Sequence, residues 1–160
     1  MSMSGRLVAI YVAPAGGAPM EARRSAEAVA GVGLRDDRYA SGTGTYSGTG
    51  RGPRDVTLIE REAVEAVRRE DGGVPIVEAE TRRNLVTEGV ALNHLVGRVF
   101  RVGDVRLRGI RLAEPCTYLE QLTARPGARA ALVHRGGLRA ELLDDGELRV
   151  GDLVAAIDDA

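Results

Sequence analysis

Apolar residues recur along this chain in two rhythms, and the change from one to the other marks out its elements. Arg6 to Val12 reads Arg-Leu-Val-Ala-Ile-Tyr-Val, a β-branched run between Gly5 and Pro14 that predicts a buried strand. Val56 to Ile59 predicts a second strand. It leads into the clearest helix, Glu60 to Glu70, where Ile59, Ala63, Val64 and Val67 recur at helical spacing, Glu65 precedes Arg69 by four residues, and Gly72-Gly73 supply the stop. From Val99 to Val102 and from Val105 to Leu112 the period becomes two. Apolar positions there alternate with Arg101, Arg106, Arg108 and Arg111, as in strands with one solvated face. The phase slips at Gly109, which predicts a β-bulge or a bend. Leu138, Ala140 and Leu142 alternate with Arg139 and Glu141, and Asp144-Asp145-Gly146-Glu147 predicts a hairpin into Leu148 to Ile157.

Between Ser41 and Pro53 glycines interleave with Ser and Thr, a composition that buries no apolar surface and predicts a loop. Such a loop could serve as a lid or as a nest of backbone N–H groups for an anion. A short echo, Phe100-Arg101-Val102-Gly103-Asp104-Val105 against Leu148-Arg149-Val150-Gly151-Asp152-Leu153, predicts equivalent Gly-Asp turns between strands. Many short strands and few helices predict a mostly β barrel or sandwich with peripheral helices, in a single domain over residues 1–160.

Composition removes several chemistries. All 22 basic residues are arginine, so a Schiff-base lysine, a pyridoxal phosphate aldimine and a P-loop lysine are excluded. Four tyrosines, one phenylalanine and no tryptophan leave little for stacking on single-stranded nucleic acid, and a net charge of −1 gives no footprint for a duplex. No apolar run approaches the roughly 20 residues of a membrane helix, and no signal peptide is evident. A single cysteine forms no internal disulfide, and the expected location is the cytoplasm.

That cysteine is the foremost candidate for chemistry. Cys116 follows Glu114-Pro115, and Thr117 with Glu120 reads as a capping box opening a short helix that ends near Thr123. A thiol just before a helix start has its thiolate favoured by orphan N–H groups and the helix dipole. Its bland alternative is a small packed hydrophobe. His134 and His94 are the only imidazoles that could serve a Cys-His hydrolase, and one cysteine with two histidines matches no paired zinc spacing. Arg82-Arg83-Asn84, at the entrance to a predicted strand, offers a fork for phosphate against the bland reading of solvated charge.

Taken in order, several segments resemble the MOSC domain found at the carboxyl end of molybdenum-cofactor sulfurases and as stand-alone bacterial proteins. They are Arg82-Arg83-Asn84-Leu85-Val86-Thr87-Glu88-Gly89-Val90, the Phe100 to Val105 segment, Glu114-Pro115-Cys116, His134-Arg135-Gly136-Gly137-Leu138-Arg139-Ala140 and Leu148 to Asp152. Gly33-Leu34-Arg35-Asp36-Asp37-Arg38-Tyr39 is similar to the family's Gly-Asp-Arg segment, with Asp36 where the family usually has glycine. The resemblance implies a closed, mostly β barrel-like fold and binding of the molybdenum cofactor, molybdopterin. It implies Cys116 as the reactive centre and metal ligand, with Arg38, Arg82, Arg83, Asn84, His134 and Arg135 around the cofactor. The expected activity is reduction of N-hydroxylated or similar small molecules. The alternatives are a sulfur carrier that holds a persulfide on Cys116 and a non-catalytic binding module. Expected partners are an electron-donor protein or a cysteine desulfurase, with no nucleic acid and no membrane, and exposed strand edges leave a dimer open.

Overall fold

The computed structural model describes residues 4–48, 53–70, 73–115 and 117–157, with the side chains of Thr117, Tyr118 and Glu120 outside that description. In chain order the strands and helices are β1 (Ser4–Val12), β2 (Glu21–Arg23), β3 (Ser25–Val29), β4 (Gly33–Leu34), β5 (Val56–Glu60), α1 (Arg61–Arg69), β6 (Leu85–Glu88), β7 (Val99–Val102), β8 (Val105–Leu112), α2 (Thr117–Thr123), α3 (Ala128–Ala131), β9 (Leu138–Leu142), β10 (Gly146–Arg149) and β11 (Leu153–Ala156). Single 3-10 turns occupy Glu78–Thr81 and Leu92–Leu95.

Seven strands close into a barrel in the order β11-β7-β8-β9-β5-β6-β1, sealed by antiparallel pairing of β1 with β11. The expected mostly β, barrel-like fold is what the chain adopts. β2 extends the sheet beyond β1, and β10, β3 and β4 make a small second sheet. Within the ring β5 and β6 run parallel, which a tight turn cannot connect, and α1 supplies part of the crossover between them. Two apolar clusters explain the layering. Leu7, Leu58, Leu85, Phe100, Leu107 and Leu138 fill the barrel, while Ile59, Val64, Val67, Val86, Leu119 and Leu132 pack helices onto its outside. Because Leu58 and Leu85 face inward and Ile59 and Val86 outward, β5 and β6 are covered on both faces and read as unbroken apolar runs.

The predicted helix is α1, closed on its exposed side by the Arg69–Glu65 pair at 2.8 Å, although Glu60 belongs to β5. Gly73 is described beyond it and Gly72 is not. The bulge at Gly109 is present: the β8–β9 register shifts between Gly109 and Arg111. Its cause is the close passage of the Leu95 carbonyl, which a side chain at 109 would overlap.

The predicted hairpin of β9 with the following strand does not form. β9 pairs with β5 and β8, whereas β10 pairs with β3 in the small sheet. Side chains of the turn pull the chain away. Asp144 accepts hydrogen bonds from Arg106 N, Nε and Nη2 at 2.8 to 3.0 Å, and Asp145 accepts one from Ala30 N at 2.8 Å. The echoed Gly-Asp turns therefore differ. Gly103-Asp104 joins the hairpin strands β7 and β8, while Gly151-Asp152 turns the chain from one sheet into the other. No helix among the described residues is long and apolar enough to cross a membrane.

Candidate functional site

Cross-strand register decides which side chains converge. Val56, Leu58, Leu138 and Ala140 point into the barrel, so Thr57 and Arg139, paired opposite each other on β5 and β9, point out of it. Arg111 on β8 faces Arg139 from the other side. These three residues line one wall of a cavity of about 570 Å³ on the outer surface of the barrel. The opposite boundary is built by Thr81, Arg82 and Arg83 before β6, by Arg38, Tyr39, Thr45 and Tyr46, and by Ala113, Glu114, Pro115 and Leu119. The described part of the glycine-rich segment thus contributes Thr45 and Tyr46 to the wall.

Charge dominates the cavity. Six arginines line it, at positions 38, 54, 82, 83, 111 and 139, against one carboxylate among the described lining residues, Glu114. Arg139 is only 8% exposed, and burial together with Arg54, Arg111 and Arg83 pushes its guanidinium down to about 10. Glu114 is engaged elsewhere. It accepts a hydrogen bond from His134 N at 2.8 Å, and its other oxygen lies 3.4 Å from His134 Nδ1.

The residues expected around a cofactor fall into three groups. Arg38, Arg82 and Arg83 line the cavity, yet each spends donors on the fold. Arg38 donates to the buried Asp37 carboxylate at 2.9 Å and to Arg82 O at 3.1 Å, and its guanidinium lies 4.9 Å from the Tyr39 ring centroid. Arg82, in the left-handed region at φ 62°, donates to Ala18 O at 2.7 Å. Arg83 donates to Gly136 O at 2.8 Å and Ala113 O at 2.7 Å, tying together the segments before α2 and before β9.

Asn84 lies behind this wall, 1% exposed and outside the cavity lining. Its Oδ1 accepts from Thr57 N at 3.1 Å and Thr57 Oγ1 at 3.3 Å, and its Nδ2 donates to Tyr11 O at 3.1 Å. One amide therefore bridges β5 and β1 on either side of β6.

His134 and Arg135 stand away from the lining. The His134 side chain is exposed on a left-handed residue at φ 64°, and Arg135 donates to Ala131 O and pairs with Glu70 at 2.7 Å. Cys116 lies outside the described residues, as do the side chains of the expected Thr117–Glu120 capping box. Its chain neighbours Glu114 and Pro115, and Leu119 three positions on, all line the cavity, and α2 begins at Thr117. Asp36 adopts φ 71°, the conformation a glycine would favour there and one that aspartate tolerates better than most residues.

Arg54, Arg111 and Arg139 escaped the reading of the sequence. Period-two arginines look alike whether the face they occupy meets bulk water or a recess. The pairing of Arg139 with Arg111 across β8 and β9 was the available signal, and it required the bulge at Gly109 to set the register. Among the described residues, no group of three or more His, Cys, Asp or Glu is placed to hold a metal.

A family model described as the MOSC domain matches residues 45–155. Among solved structures, the YuaD protein from Bacillus subtilis superposes with a TM-score of 0.76 at 15% identity over 99% of both chains. YiiM from Geobacillus stearothermophilus gives 0.72 at 12% identity, covering 96% of this chain and 75% of that one. YiiM from Escherichia coli gives 0.63 at 16%, covering 100% and 71%. At these identities the likeness is one of fold. No curated protein matches the sequence. Since the matched family model extends over well more than half of the residues and includes most of the barrel and cavity, the chain belongs to the MOSC domain family.

Proposed function

We propose that this protein binds the molybdenum cofactor in the arginine-lined cavity, with the Cys116 thiolate as metal ligand, and supports reduction of N-hydroxylated or similar small molecules. MOSC domains are commonly associated with molybdenum-cofactor binding. The observation that carries the reading is the convergence of six arginines on a recess whose wall includes Glu114, Pro115 and Leu119, near Cys116 in the chain.

The donor set fits the group. Guanidinium forks suit a phosphorylated, oxygen-rich pterin, and a thiolate suits a metal that prefers soft ligands. Arg139 and Arg111 would hold its negative charge, while Arg82 and Arg83 shape the wall through their bonds to main-chain carbonyls. Leu112, Ala113, Pro115 and Leu119 give the cavity an apolar side that limits water around a bound ligand. Bound there, the cofactor supplies a two-electron redox centre. With no lysine to form an aldimine, the chain has no desulfurase chemistry of the pyridoxal phosphate kind, so electrons or sulfur come from a partner.

The test is the pterin and molybdenum content of protein purified from a host that makes the cofactor. Retention of both, lost in Cys116→Ser, is expected. If neither is retained and Cys116→Ser changes nothing, the proposal fails. A gain of one sulfur on Cys116 after incubation with a cysteine desulfurase, with no bound pterin, replaces it by the carrier reading.

A further inference from the structure

The outer faces of β7 and β8 carry a charge that neither the barrel nor the cavity explains. Arg101, Arg106 and Arg108 point outward and are exposed, because Phe100, Val102, Val105 and Leu107 between them fill the barrel. Register sets Arg101 directly opposite Arg106, an arrangement in which like charges repel and weaken a sheet. Beyond β7 the outward face continues through Ala155 to Leu153 of β11, which is 51% exposed, and to Arg6 of β1, paired opposite Leu153. In the other direction β8 leads past the bulge to the exposed Arg111 at the cavity. Among the described residues this face holds two ion pairs, Arg106 with Asp144 at 2.8 Å and Arg108 with Glu141 at 3.9 Å. Asp144, already held by Arg106, also feels the charge of Arg101. In a chain of net charge −1 so cationic a stretch of wall is a local excess, which creates a positive potential over this side alone.

We infer that this face, from Arg101 to the cavity rim at Arg111, docks an acidic electron-carrier protein. The inference rests on the proposed function, since reducing an N-hydroxyl group to N–H and water consumes two electrons and two protons. Water supplies the protons, and the docked reductant supplies the electrons. Arg106, Arg108 and Arg111 follow one strand at about 3.3 Å per residue, so a protein seated on the first two reaches the rim at the third. Fixed positive charge speeds encounter with an acidic partner and sets its orientation. Leu153, with the neighbouring Val99 and Ala155, offers an apolar patch for a protein surface to cover, which the backbone of a nucleic acid does not use. Keeping Arg101 opposite Arg106 costs the sheet stability, and carboxylates of the partner relieve that repulsion.

The probes are two acidic carriers, a plant-type two-iron ferredoxin and a flavodoxin. Each is titrated calorimetrically, at low and at physiological salt, into protein from a host unable to make the pterin cofactor. At least one is expected to bind wild type, and more weakly at the higher salt. Arg101→Glu is expected to weaken that binding about fivefold or more, while Arg69→Glu, the same change of charge on exposed α1, leaves it as in wild type. Urea unfolding checks the fold of each variant, and if Arg101→Glu shifts the midpoint, Arg108→Glu carries the comparison. The inference is overturned if neither carrier binds wild type, if the variants on this face bind as wild type does, or if the face prefers a DNA duplex or anionic vesicles to both carriers. Binding is read without the cofactor, so the two readings fail separately. Carrier binding by a chain that never retains pterin leaves the docking face and removes the cofactor reading. Retained pterin with no carrier binding does the reverse.

Discussion

Asn84 belongs to the motif that resemblance assigns to the cofactor, yet the structure gives its amide to the barrel, and Asn84→Ala separates the two roles. The substitution leaves Thr57 N and Tyr11 O, on the two strands that flank β6, without the side-chain partner each now has. A buried backbone group left unsatisfied costs about 1–3 kcal/mol, so two such groups predict a loss of about 3 kcal/mol. In a chain of this size each kcal/mol lowers Tm by roughly 2–4 °C, giving a fall of roughly 6–12 °C. Urea unfolding at 25 °C is the better assay, because an unchanged m-value confines the effect to stability; the midpoint should fall by about 1 M or more. The reasoning is refuted if Asn84→Ala unfolds within about 1 kcal/mol of wild type while pterin content collapses, an outcome that puts Asn84 on the ligand.

Three further outcomes follow from the same geometry. Asp37→Ala removes the carboxylate that pairs with buried Arg38 at 2.9 Å and accepts from Ala13 N at 3.1 Å; a loss of about 3–5 kcal/mol by urea unfolding is expected, the cost of stranding a buried cation. A Cβ at Gly136 would lie 2.5 Å from Ala113 O and 3.0 Å from Pro115 Cδ, so Gly136→Ala should cost about 1–3 kcal/mol in the same assay by displacing the segment that leads to Cys116. Arg106 holds the exposed Asp144 carboxyl down from 3.8 to about 2, so the folded chain takes up this proton less readily than the unfolded one. Its contribution is therefore present above about pH 4 and fades as pH falls toward 2, and Asp144→Asn should flatten that part of the curve of stability against pH.

What the sequence revealed and what it concealed have separate physical causes. Strands with one face in the barrel announce themselves by alternation, and the slip at Gly109 marked a bulge because a missing Cβ and a broken period coincide there. The pairing of β10 was hidden, since Asp144 and Asp145 look like ordinary turn residues until Arg106 and Ala30 are known to stand beside them. Arg82 and Arg83 were legible as a motif but not in their roles. A guanidinium that binds main-chain carbonyls and one that binds a ligand are written with the same letter. Arg111 was read as part of a solvated face, because periodicity reports which side of a strand a residue occupies and not what lies on that side.

The seam between β1 and β11 governs how the molecule comes into being. Ser4 meets Ala155 and Arg6 meets Leu153, so the ring is completed by contacts that span nearly the whole chain. Closing so long a loop is slow, since its entropy must be lost before the contacts repay it. During synthesis β1 has β2 and β6 to pair with early, but the Ser4–Arg6 part of its edge waits for the last strand, and β7 waits with it. Until then two open strand edges offer themselves to any neighbouring chain, which makes the interval before closure the time of greatest exposure to aggregation.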